Sequence, residues 1–137
     1  NNSRGFTLIE LLVTIGIISI LASIGLVIYT SVMKQGRDSK RQSDLRSIQS
    51  AVEQYYADNF SYPAQVSSGG SITFNGKTYM NTVPSDPITG NSPYVYVPSG
   101  SSYCIYASLE NPPSPVPAPP TGCTYPSNKY NFALTSP

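Results

Sequence analysis

The sequence predicts an α+β chain: a long N-terminal α-helix, membrane-spanning in its first half and amphipathic in its second, packed on a small antiparallel β-sheet. Three observations predict it. Residues 11–33 carry no charge, residues 34–58 change to a one-sided apolar pattern, and the remainder breaks into short runs punctuated by proline, glycine and asparagine.

About 23 uncharged residues at roughly 1.5 Å rise each make a helix about 34 Å long, enough to cross a hydrocarbon core of about 30 Å. The small residues Gly16, Ser19, Ala22, Ser23 and Gly25 are spaced along it. Such residues let helices approach closely in lipid, although glycine costs a helix interior about 1 kcal/mol. Glu10, at the head of the run, interrupts the pattern. An ionised carboxylate facing lipid costs roughly 2.5 to 3.5 kcal/mol even on lenient insertion scales. The residues alone leave two readings of it open. One is a helix-end acid beside the positive end of the dipole, reaching to the headgroups; the other is an acid that meets a neutralising partner.

Beyond Met33 the charges Lys34, Arg37, Asp38, Lys40, Arg41, Asp44 and Arg46 precede Leu45, Ile48, Val52, Tyr55 and Tyr56, which fall on one helical stripe. One helix over residues 6–58 follows, with the stripe on a sheet and a bend allowed at Gly36. The charges opposite the stripe read as a solvated face, or alternatively as contacts between subunits. Pro63 prevents the helix from continuing past residues 58–64, and Asn59-Phe60-Ser61 matches a glycosylation sequon. Residues 67–71 read as a flexible loop.

Ile72-Thr73-Phe74 and Lys77-Thr78-Tyr79 flank Asn75-Gly76, the signature of a hairpin on a type I′ turn. Val83-Pro84-Ser85-Asp86-Pro87 and Thr89-Gly90-Asn91-Ser92-Pro93 supply turn chemistry before a strand at residues 94–97. A neighbouring strand is expected over 103–109 and an edge strand over 129–134. Residues 111–121 are proline-dense and read as an extended surface loop. Cys104 and Cys123 are the only cysteines. In an exported domain with a thin core, a pair closing about 20 residues reads as a disulfide worth roughly 3 kcal/mol, against the alternative of two free thiols.

Composition narrows function. The 137-residue chain has net charge +1, with 11 tyrosines, 13 prolines and no histidine. After the helix only one compact domain of fewer than about 90 residues can follow. The balance writes in neither a nucleic-acid groove nor an acidic tail. Without histidine, and with few acids, the chain is expected not to be an enzyme and to need no cofactor. Calcium wants several carboxylate oxygens, and beyond Asp58 only Asp86 and Glu110 are present, so no metal site is expected. Ser31-Val32-Met33-Lys34 matches a serine–lysine nucleophile spacing with no companion motif and reads as coincidence. Tyr94, Tyr96, Tyr103 and Tyr106 could stack bases, but with few cations nearby they read as sheet packing.

Arg4-Gly5-Phe6-Thr7-Leu8-Ile9-Glu10-Leu11-Leu12 closely resembles the processing site of the type IV pilin family, which takes in pilins, type II secretion pseudopilins and DNA-uptake pseudopilins. Residues 55–63 resemble the helix exit of pseudopilins and short pilins, and residues 83–96 are similar to a segment of the type II secretion major pseudopilins. The resemblance implies that a prepilin peptidase cuts between Gly5 and Phe6 and methylates the new amine. It also implies that Glu10 of one subunit meets the freed amine of Phe6 of another. The domain plan is then a leader over 1–5, a transmembrane and filament-core helix over 6–33, an amphipathic half over 34–58, and a globular region over 59–137 with a Pro-rich disulfide loop. The start at Asn1, and not at methionine, reads as a trimmed leader, and the chain keeps the segment that processing removes. Part of residues 16–25 is where the resemblance places helix melting in assembled fibres, although the proline common there is missing.

The implied function is a structural subunit of a type IV pilus or pilus-like secretion filament. Its implied partners are further copies of itself in a helical filament, the membrane, a prepilin peptidase, an assembly platform protein and a cytoplasmic assembly ATPase, with no nucleic acid expected for a main subunit. The precursor is expected in the cytoplasmic membrane with its C-terminal part outside, and the assembled form at the cell surface. The basic flank Lys34, Arg37, Lys40, Arg41 and Arg46 opposes that orientation. The cysteine pair and the cytoplasmic processing motif favour it. The alternative function is a minor pilin that binds DNA or surfaces, and the third is a membrane-tethered enzyme.

Overall fold

The computed structural model describes residues 5–137; the leader positions 1–4, including Arg4, lie outside them. The chain divides into two units, one ending at Lys34 and one spanning Gln35–Pro137. The first helix, α1, is Leu8–Asn59 and has residues in both.

In the first unit α1 is helical through Gly16 and Gly25, the segment expected to melt in a fibre. Its large apolar side chains, from Leu8 and Ile9 to Val32 and Met33, are exposed. Four hydroxyls along it are turned back on the helix. Thr14 donates to the Leu11 carbonyl at 2.8 Å, Ser19 to Ile15 at 2.6 Å, Ser23 to Ile20 at 2.8 Å and Thr30 to Val27 at 3.0 Å. Each of these bonds gives a hydroxyl a partner that hydrocarbon would not supply. It is the helix here long and apolar enough to cross a membrane.

In the second unit the remainder of α1 packs on strands. These are β1 (Ile72–Phe74), β2 (Lys77–Met80), β3 (Val95–Ser99), β4 (Ser102–Ala107) and β5 (Phe132–Thr135). They form two antiparallel sheets, β1-β2 and β3-β4-β5, where one sheet was expected. Asn75 and Gly76 have φ of 49° and 79°, as a type I′ turn requires, and the hairpin closes Phe74 on Lys77. Between the two sheets the chain runs through Val83 and its prolines, whose missing N–H groups and fixed φ keep it out of either ladder.

The helical stripe packs as its spacing predicts. Leu45, Ile48, Val52 and Tyr55, with Ala51 beside them, form one cluster with Ile72, Val83 and Tyr94 and with Tyr103, Ile105 and Ala107 of β4. Tyr56 is half-buried, its ring stacked on Tyr62. Each fully buried aliphatic side chain contributes about 1.5 to 3 kcal/mol, so this stripe is what holds helix to strands. Strand β4 is buried on both faces. Its other face places Cys104 and Tyr106 against Cys123, with Tyr125 and Tyr130 packed around them. The returning loop therefore supplies a second layer.

Three expectations are corrected. Strand β4 ends at Ala107 and not 109, because the Asn131 side chain takes over the backbone: the Leu109 N–H donates to Asn131 Oδ1 at 2.7 Å and Asn131 Nδ2 donates to the Leu109 carbonyl at 3.0 Å. That side-chain lock replaces ladder bonds, and β5 begins only at Phe132. The charged face of the helix is not simply solvated: Asp38 and Arg41 are buried.

Candidate functional site

Two places carry the chemistry: the head of α1, and the charged part of α1 in the second unit. At the head, Thr7 immediately precedes the helix and Glu10 is its third residue. Thr7 N–H and the Thr7 hydroxyl donate to Glu10 Oε2 at 2.8 and 2.7 Å, and Glu10 N–H donates to Thr7 Oγ1 at 3.3 Å. This is a reciprocal capping box, which satisfies donors that a helix start otherwise leaves open. The signal for it, Thr-x-x-Glu ahead of an apolar run, stands in the sequence. Glu10 Oε1 makes no hydrogen bond among the described residues, so half of the carboxylate stays available. Gly5 and Phe6 precede the cap in exposed, non-helical chain, with Phe6 87% exposed. Among the described residues, then, Glu10 is held by Thr7 and Phe6 stands exposed.

In the second unit Arg41 is the organising group. It makes a fork on Asp86, Nε to Oδ2 at 2.7 Å and Nη2 to Oδ1 at 3.0 Å, and its Nη1 donates to Asp38 Oδ1 at 2.7 Å and Glu110 Oε1 at 2.9 Å. Arg37 adds a second fork on Glu110 at 2.6 and 2.7 Å. Asp38 in turn accepts the backbone N–H groups of Glu110 and Asn111 at 2.9 and 2.8 Å. One helical turn thereby fastens the loop around Asp86 and the start of the proline-dense loop. Hydrogen bonds from Arg37 outweigh desolvation and, with those from Arg41, hold the Glu110 carboxyl down to about 2. Burial works against the charge on Asp86, but the Arg41 fork and the Ile88 N–H prevail and keep its pKa below the usual carboxylate range. The bonds from Asp86 outweigh desolvation and push the Arg41 guanidinium further up.

The spacing carried a signal for these residues too. Positions 38, 41, 45, 48, 52 and 55 alternate steps of three and four, so Asp38 and Arg41 extend the buried stripe toward the N-terminus. Lower on the helix, Tyr103 donates to Glu53 Oε1 at 2.6 Å and Tyr94 to Asp44 Oδ2 at 2.9 Å. Burial, reinforced by these acceptors, pushes both phenols up. Tyr94, Tyr103 and Tyr106 are buried, which removes them as base-stacking platforms. The sequon residue Asn59 is also engaged, its Nδ2 donating to the Tyr55 carbonyl and the Tyr79 hydroxyl at 2.9 and 3.0 Å. Cys104 and Cys123 are joined by a disulfide. Among the described residues no group of three or more His, Cys, Asp or Glu is placed to hold a metal ion. The cation that Asp38, Asp86 and Glu110 surround is Arg41.

Comparisons with known proteins fit this arrangement. A family described as "Prokaryotic N-terminal methylation motif" matches residues 1–26, the capped head of α1 and the start of the apolar run. The type II secretion system core protein G of Pseudomonas aeruginosa is 31% identical over 108 residues, covering 71% of this chain and 75% of that protein. Its namesake in Escherichia coli is 31% identical over 111 residues, covering 73% and 75%. Fimbrial protein EcpC of Eikenella corrodens is 40% identical over 81 residues, 58% of this chain, which spans about half (52%) of that relative. No solved structure matches the chain at comparable significance.

Proposed function

The chain belongs to the type IV pilin and pseudopilin family, and from that premise we propose that it polymerises through its N-terminal helix after removal of residues 1–5. A structural and not a catalytic role goes with the family. The observation that carries the reading is the bare apolar surface of residues 6–33, none of which finds cover within the first unit. As a monomer that surface needs lipid; in a fibre, sister helices replace lipid, and burial of apolar area there drives association.

Cleavage between Gly5 and Phe6 frees the Phe6 amine, and the prepilin peptidase methylates it. The Glu10 carboxylate of one subunit then neutralises the Phe6 amine of its neighbour. Two groups that are each costly in a low-dielectric fibre core become a neutral pair, which sets register more than it adds stability. The Thr7 cap keeps Oε2 satisfied in the monomer and leaves Oε1 free to receive the amine. The energy for extraction from the membrane comes from a cytoplasmic ATPase acting through a platform membrane protein. The precursor lies in the cytoplasmic membrane with Gln35–Pro137 outside, where the disulfide suits an oxidising compartment. The basic flank is less of an obstacle than its sequence suggests: Arg37, Lys40 and Arg41 are bound to carboxylates, leaving Lys34 and Arg46 without an ion pair among the described residues.

The test separates the cap from the charge. Glu10→Gln keeps an acceptor for Thr7 and removes the charge; Glu10→Val removes both. Expressed without wild-type subunit, both variants are expected to yield no filaments in electron micrographs of sheared surface material. Normal fibres from Glu10→Gln would overturn the charge pairing. Mass spectrometry of wild-type fibres is expected to find subunits that begin at a methylated Phe6, and finding residues 1–5 attached would overturn the cleavage.

A further inference from the structure

We propose that the Gln35–Pro137 unit carries a preformed groove for a short oligosaccharide bearing one carboxylate, built where the loops before β1 and β3 meet the two ends of the β4–β5 connection. Two concavities adjoin there, of about 650 and 240 Å³, and share Gly90, Asn91 and Pro93 as their common wall. The larger is completed by Ser92, Ser108, Ser127, Lys129 and Tyr130, the smaller by Ser68, Ser85, Asp86, Ile88 and Thr89. Together they have the capacity of a small-ligand site.

The walls are loops, yet each is fixed before any ligand arrives. Asp86 is forked to Arg41 and accepts the Ile88 N–H at 2.9 Å. Tyr130 donates its hydroxyl to the Pro93 carbonyl at 3.1 Å, tying one side of the groove to the other. Asn131 locks Leu109 beside Ser108, and Gly69 and Gly70 exchange backbone bonds with Val83 at 2.8 and 2.7 Å, which sets Ser68 near Ser85. Gly90, at φ 82°, allows the reversal at the common wall. Walls ordered in advance reduce the entropy lost on binding.

The lining selects the ligand class. Most of its residues carry a neutral hydroxyl or amide, the partners of sugar hydroxyls, beside the apolar surface of Ile88 and Pro93. The Ser68 hydroxyl oxygen behind the wall is shielded from solvent and has no hydrogen-bond partner among the described residues. Asp86 has both oxygens committed to Arg41 and adds no free charge. Lys129 makes no ion pair among the described residues and is the one cation of the lining, which suits a single carboxylate. The Tyr130 ring, held by its hydroxyl, can back a pyranose face. One lysine without arginine is too little for a nucleic-acid backbone.

The inference does not depend on polymerisation, so the experiment uses the whole chain in detergent. Titration calorimetry and tyrosine fluorescence are run with 3′-sialyllactose, which carries one carboxylate, with a galacturonate-terminated trisaccharide, and with lactose as the neutral control. Binding of at least one acidic sugar with Kd on the order of 1 mM or tighter is expected, with lactose about tenfold weaker. Lys129→Gln, an exposed position, is expected to erase that difference, and Ser92→Trp, which fills the larger concavity, to abolish binding with unchanged melting. Absence of binding by all three sugars, or binding indifferent to both substitutions, overturns the proposal.

Discussion

Arg41 and Asp86 lie 45 residues apart and meet through two hydrogen bonds, 2.7 and 3.0 Å, with the arginine side chain fully buried and the aspartate 4% exposed. A pair so enclosed is costly to form and more costly to break, because desolvation has already been incurred by both partners.

Replacing Arg41 therefore destabilises strongly. Arg41→Met leaves Asp38 and Asp86 buried without their cation, and a loss of about 3 to 5 kcal/mol is expected. Arg41→Lys is expected to recover only part of it, since an ammonium cannot fork on Asp86 while reaching Glu110. Denaturant midpoints of the detergent-solubilised protein measure both; a loss below about 1 kcal/mol for Arg41→Met would contradict the buried network.

Acid should weaken the same network. Glu110 is depressed from an ordinary 4.5 to about 2, and Asp86 is also lowered. A depressed carboxyl contributes stability that is complete above its unfolded value and is lost as pH falls through its folded value. Melting temperature is thus expected to be level from neutral pH down to about 5 and to decline from there toward pH 2. Glu110→Gln should lower the neutral plateau and flatten the decline; an unchanged acid slope in that variant would remove Glu110 from the account.

Helix α1 ends with Phe60 at φ 53° and 84% exposed, its N–H bonded to the Tyr56 carbonyl at 2.8 Å. This is the left-handed position where glycine is favoured. Phe60→Gly is expected to stabilise by about 0.5 to 1 kcal/mol, and Phe60→Val to destabilise by at least as much. Thermal melts of the two variants decide it, and a destabilising glycine would mean that the aromatic ring has a packing partner.

The disulfide closes a separation of 19 residues around the second layer of β4. Its removal in Cys104→Ser/Cys123→Ser is expected to cost about 3 kcal/mol. Tyr106, Tyr125 and Tyr130, which pack around the bridge, should become more solvent-exposed; the chain has no tryptophan, so tyrosine fluorescence reports this directly. Unchanged stability in the double serine variant would show that the loop is held by Asp38 and Asn131 alone.

Much of the fold was legible because it follows from short-range pattern. Residues 11–33 are uncharged over a length that can cross a membrane as a helix, Asn75-Gly76 can hardly be other than a tight turn, and Leu45, Ile48, Val52 and Tyr55 name their own buried face. Strand ends were less legible: β4 stops at Ala107 because Asn131, from the far side of the disulfide loop, captures Leu109. At the candidate site Glu10 stands out as the one acid of an apolar run, whereas Thr7 gains meaning only when paired with Glu10 three residues on as a capping box.

By itself, then, the sequence determined the apolar helix, its single interrupting acid, the hairpin and the stripe that faces the strands, since each depends on neighbours within a turn or two. Only the tertiary structure decided which charges leave solvent. Asp38 and Arg41 share the spacing of the buried stripe, yet whether a charge can be buried there depends on Asp86 and Glu110 arriving from 45 and 69 residues beyond Arg41. The physical reason is that apolar burial needs only a surface to face, whereas a buried ion needs partners at hydrogen-bonding distance, and their arrival is a property of the folded chain.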